Sequence, residues 1–77
     1  MAKLNYKRLS YTDMEHVSGV VFSELERQKG INKSDIRDLA WYRYGRYATQ
    51  PLVVFLRDGR IFKIRTRKGN ILIEKIK

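Results

Sequence analysis

Apolar positions along this chain follow two different rhythms. From Thr12 to Gly30 they fall at Met14, Val17, Val21 and Leu25, with Val20 and Phe22 widening the stripe, as on one face of an α-helix. Thr12-Asp13-Met14-Glu15 has the form of a capping box, in which the threonine hydroxyl accepts from an N3 amide and the glutamate reaches back to the cap. Arg27 and Lys29 suit the negative end of the helix dipole, and Gly30 supplies a terminating residue. A second helix is predicted from about Lys33 to Tyr44, capped by Asn32 or Ser34, with Asp35 in its first turn. Ile36, Leu39, Ala40 and either Arg43 or Tyr44 form its inward stripe, Gly45 stops it or lets it fray toward Ala48, and Pro51 closes the loop that follows.

After Pro51 the rhythm changes to alternation, which predicts a three-stranded meander over Leu52–Arg57, Arg60–Arg67 and Asn70–Lys77. Asp58-Gly59 is a strong signal for a two-residue hairpin loop, and Lys68-Gly69 a weaker one. With two-residue loops, one sheet face receives Val53, Phe55, Phe62, Ile64, Thr66, Ile71 and Ile73 and packs against the helices. The other receives Leu52, Val54, Leu56, Ile61, Lys63, Arg65, Arg67, Leu72, Glu74 and Ile76, with Lys63 opposite Glu74. A bulge at Gly69 would instead slip the third strand by one and exchange Ile71 and Ile73 for Leu72. The expected fold is α+β: one domain over residues 1–77, with two N-terminal helices on one face of a three-stranded antiparallel meander. Leu4 and Tyr6, alternating with Lys3, Asn5 and Lys7, allow a short extra edge strand at the N terminus.

Charge adds direction to this frame. The 77 residues carry a formal charge of +9, unevenly spread. Residues 1–42 hold seven basic and six acidic side chains, a balance of +1; residues 43–77 hold ten basic ones against Asp58 and Glu74, a balance of +8. Such a concentration attracts polyanions, of which nucleic acid is the commonest in a cell, although a solubilising surface has the same composition. The chain has no cysteine, so neither a disulfide nor a zinc thiolate site is available, and its large apolar side chains are committed to the core or to a dimer contact. With no long apolar run and no signal-peptide pattern, the expectation is a soluble, cytoplasmic protein with no membrane association.

Little else in the sequence points to chemistry. His16 lies near Asp13, but no nucleophile is paired with a base, and Asp35 and Asp38 are two carboxylates without further ligands. The glycines are scattered singly, so no phosphate-cradling loop is present. The expectation is a non-enzyme that needs no cofactor or metal. The leading reading is a small nucleic-acid-binding protein, for DNA or RNA, with phosphate contacts from Arg43, Arg46, Arg57, Arg60, Lys63, Arg65, Arg67 and Lys68. In Trp41–Tyr47, WYRYGRY, helical spacing turns Trp41 and Tyr44 toward the core and leaves Tyr42 and Tyr47 as candidate stacking residues beside Arg46 and Arg43. A helix–turn–helix with the basic hairpin as its wing is a weaker form of this reading, because Asp35 and Asp38 would face phosphates. The alternative is a protein-interaction module or inhibitor whose basic face docks on an acidic or nucleic-acid-binding surface of a larger partner. A homodimer built on an apolar patch of Leu56, Ile61 and Ile76 is compatible with either.

Overall fold

A computed structural model describes residues 5–43 and 51–77. A 3-10 turn at Tyr6–Arg8 leads into strand β1 (Leu9–Thr12), and a second 3-10 turn at Met14–His16 precedes helix α1 (Gly19–Lys29). A third, at Lys33–Asp35, precedes β2 (Ile36–Tyr42), followed by β3 (Leu52–Leu56), β4 (Ile61–Arg67) and β5 (Asn70–Lys75). The strands pair antiparallel in chain order, β1-β2-β3-β4-β5. The α+β class is as expected, but the described residues contain one α-helix and five strands rather than two helices and three strands.

The first helix stops where expected and starts later. Gly30 takes the left-handed conformation at φ 67°, its N–H donating to the Glu26 carbonyl at 2.9 Å. At the other end the cap is Ser18, whose hydroxyl accepts from the Val20 amide at 3.3 Å. Thr12 does not cap, because its backbone is committed to the sheet, opposite Leu39. Asp13–Val17 form only a tight turn, and Val17 is extended at φ −113°, ψ 135°. Met14 and Val17 still reach the core, but ahead of the helix rather than on it.

The predicted second helix, and with it the helix–turn–helix reading, is replaced by the three-residue turn and β2. The misleading feature is a β-bulge. Ile36 pairs with Leu56 and Asp38 with Phe55, so one extra residue sits in β2 between them. That insertion places Ile36 and Leu39, three apart, on the same face, which imitates helical spacing. Beyond the bulge plain alternation resumes: Leu39 and Trp41 pack on the helix side, Ala40 and Tyr42 on the other. The N-terminal edge strand that the sequence allowed is present at Leu9–Thr12; Tyr6 lies in the turn before it, and Leu4 is outside the described residues.

The two hairpins reverse the expected ranking of their signals. At Lys68-Gly69 the loop has two residues, with φ 49° and 80°, and Arg67 pairs with Asn70. At Asp58-Gly59 the loop has three residues, 57–59. Gly59 donates to the Leu56 carbonyl at 3.1 Å with φ 98°, and Leu56 donates to the Arg60 carbonyl at 2.9 Å. A left-handed third residue is how a three-residue hairpin restores the ladder. The one-residue difference turns β3 over: Leu52, Val54 and Leu56 face the helix, while Val53 and Phe55 join Lys63 and Arg65. Strands β4 and β5 keep the expected alternation and the pairing of Lys63 with Glu74.

The core has two parts, one on each face of the sheet. On the helix side Val17, Phe22, Leu25 and Ile31 pack on Ile36, Leu39, Leu52, Val54, Leu56, Phe62 and Ile64. On the second face Ala40, Val53, Phe55 and Ile61 are buried, with Leu9, Tyr42 and Ile76 against them. The patch expected from Leu56, Ile61 and Ile76 does not form, since Leu56 faces the helix and Ile61 is buried.

Helix α1 depends on few anchors. Leu25 is fully buried, so Leu25→Ala is expected to cost about 2–5 kcal/mol in urea unfolding. On its flank beside β5, Glu24 accepts from Arg27 at 2.6 and 2.8 Å and from Gln28 at 2.9 Å, and Gln28 also donates to the Ile71 carbonyl of β5 at 3.1 Å. The Arg27 and then the Gln28 hydrogen bonds lower the Glu24 carboxyl from its ordinary 4.5 to about 2. A carboxyl depressed in the folded chain contributes stability that is complete above its unfolded value and is lost as pH falls through its folded one. The stability difference between the native chain and Glu24→Gln should therefore be constant above about pH 5 and shrink toward pH 2, read as urea midpoints across that range.

Candidate nucleic-acid interface

The second face of the sheet, with the turn beyond it, gathers four of the eight predicted cations. Strand β4 directs Lys63, Arg65 and Arg67 to this face at every second position, with Lys68 in the turn beyond. Same-face neighbours on a strand lie about 6.7 Å apart, so the cations form one row. Lys63 is half-buried, its ammonium 5.6 Å from the centre of the Tyr42 ring. Arg65 is exposed and reaches diagonally to Glu74, with a guanidinium nitrogen 3.7 Å from the carboxylate. Arg67 and Lys68 are exposed and make no ion pair among the described residues.

The remaining predicted cations are placed differently. Arg57 is a strut: its Nε donates to the Ser34 carbonyl at 3.0 Å and its amide to that of Asp35 at 2.9 Å, tying the first hairpin to the turn before β2. Arg60 is held by Asp58 at 2.7 Å, with its guanidinium 5.8 Å from the Phe62 ring. The Arg60 amide, and then its guanidinium, hold the Asp58 carboxyl below its ordinary range. Arg43 follows β2 and pairs its backbone with Arg8, whose guanidinium donates to the Arg43 carbonyl at 3.4 Å. Arg46 and Tyr47 lie outside the described residues. Tyr42, expected on a helix, is on β2, where it joins the second-face cluster; Trp41 points to the helix side.

Sequence reasoning missed an aromatic group on this face. The rings of Tyr6 and Tyr11 each stack on Phe55, with centroids 6.4 and 6.2 Å away and planes inclined by 28°. The Arg37 guanidinium lies 5.6 Å from the same ring and is held by Asp38 at 3.1 Å. Both tyrosines remain largely exposed, at 57% and 61%. Together with Arg37, Phe55, Arg60 and Lys77 they line a cleft of about 240 Å³ at the start of β4. The register of the first hairpin was the missing signal for Phe55, because a three-residue loop carries it to the face of Lys63. The Leu9–Tyr11 alternation was available for Tyr11; the alternation around Tyr6 pointed to a strand, whereas Tyr6 lies in a 3-10 turn.

The other chemical candidates, Asp38 apart, lie away from this face. Asp13, Glu15 and His16 are exposed, with ligand atoms within 4.8 Å of one another, all from a single turn. Asp35 accepts from the Asn32 amide at 2.9 Å and Asp38 from Arg37, so these two carboxylates serve separate structural contacts rather than one helix face. Among the described residues no helix is long and apolar enough to cross a membrane. Comparison with protein-family models, with curated proteins and with solved structures finds no match to this chain.

Proposed function

We propose that this chain is a small nucleic-acid-binding protein, not an enzyme, that attaches through phosphate contacts from the second face of its sheet. The observation that carries this reading is the row of Lys63, Arg65, Arg67 and Lys68, with Glu74 the acid set against it. A rigid strand fixes the interval between these cations, and a polyanion with a regular charge repeat is the partner that a fixed row suits best. Binding of this kind releases counterions, so affinity falls steeply with salt. Arg43 and Arg46 lie near in sequence to Tyr42 and extend the basic character of the same half of the chain. Arg57 and Arg60 contribute field rather than flexible contacts, because each is already held by the protein.

Replacing Arg65 and Arg67 by alanine is expected to weaken binding to all sequences and to lower the salt slope by about two. A fluorescence titration of labelled oligonucleotides over a salt series reads both quantities, and an unchanged slope removes the row from the interface. Lys68 offers a sharper test, since it occupies a left-handed position at φ 49° that Asn or Gly adopts at less cost. Lys68→Asn should raise stability by about 1 kcal/mol while weakening binding and lowering the salt slope by about one. Opposite signs for stability and affinity distinguish a cation kept for binding from one kept for folding.

A further inference from the structure

We infer that the cleft beside Phe55 is a stacking site for an unpaired nucleobase, which makes the ligand of this chain a single-stranded nucleic acid. The inference rests on the nucleic-acid reading above and adds a site and a strand preference to it. Each of Tyr6 and Tyr11 lays one face of its ring toward Phe55, which holds its orientation, and each keeps more than half of its surface in water. Covering Phe55 takes only one side of each ring, and the surface that both tyrosines keep in water leaves an oriented aromatic platform on this face. Stacking on such rings accepts any base, because every base presents a π-face. A paired base inside a duplex presents no face to them.

The charges around the cleft fit the same ligand. Arg37 and Arg60 stand at its rim, each held by a neighbouring aspartate, and Lys77 completes it. From Ile61, which also lines the cleft, β4 runs outward through Lys63, Arg65 and Arg67 on the same face. A base seated against Tyr6 and Tyr11 therefore has its backbone led directly onto the row of cations. Aromatic platform and basic track together form the arrangement by which single strands are bound without sequence readout.

The test compares oligothymidylate with the duplex it forms with oligoadenylate, at equal length and low salt, by fluorescence anisotropy. The native chain should bind the single strand at least about tenfold more tightly. Tyr11→Leu, which keeps an apolar cover over Phe55 but removes the π-face, should weaken single-strand binding roughly 10- to 100-fold with little change in salt slope. Tyr11→Phe should keep the native affinity, and circular dichroism of each variant reports whether the fold is intact. Equal binding of duplex and single strand, or an unchanged affinity in Tyr11→Leu, overturns the stacking site while leaving the phosphate row standing. Should Tyr11→Leu fail to fold, the strand preference of the native chain together with Tyr6→Leu decides the matter in the same way. No binding of either form by the native chain overturns the nucleic-acid reading itself, and the stacking site with it.

Discussion

The structure turns on the burial of β3 from both sides. All five residues from Leu52 to Leu56 are buried, yet the described residues hold one α-helix, and it covers one face. The other face is closed by side chains with an apolar body and a polar end: the rings of Tyr6, Tyr11 and Tyr42 and the stem of Lys63. Residues of this kind exclude water from what lies beneath while keeping a charge or hydroxyl in solvent. The second core and the candidate binding surface are thus two sides of one layer, so the residues proposed for binding also contribute to stability.

What was legible in the sequence was governed by local chemistry, and what was not was governed by pairing. Gly30 ends a helix wherever the helix begins, so that boundary could be read. The start could not, because Thr12 has a competing use in a strand whose partner, Leu39, is 27 residues away. Ile36 and Leu39 followed helical spacing for a reason invisible without β3, the extra residue that a bulge inserts. The Asp58-Gly59 pair correctly marked a hairpin and misassigned its register, since the same dipeptide serves a two-residue loop or the end of a three-residue one. That single residue decided which face Phe55 joined. The cationic half of the site was therefore readable and its aromatic half was not: Lys63, Arg65 and Arg67 alternate within one strand, whereas Tyr6, Tyr11 and Phe55 meet only through the fold.

The charge imbalance of the two halves becomes spatial because the strands pair in chain order. The balanced half contributes β1, α1 and β2, and the basic half contributes β3, β4 and β5, so the excess lies on one side of the sheet. Within that side the acids are not spread evenly. Asp58 holds Arg60 near the start of β4, and Glu74 meets Arg65 midway, while Arg67 and Lys68 at the far turn have no acidic partner among the described residues. The cations of the second hairpin are thus left to solvent, while Arg60 at the cleft is held by an acid. On the proposed nucleic-acid reading, a polyanion is attracted first to this exposed turn. On the same reading bases stack at the aromatic end, where Arg37 and Arg60 are already held by aspartates. The proposed basic row and the proposed stacking site thus lie at two ends of a single strand, and the register of its two hairpins is what sets them on the same face.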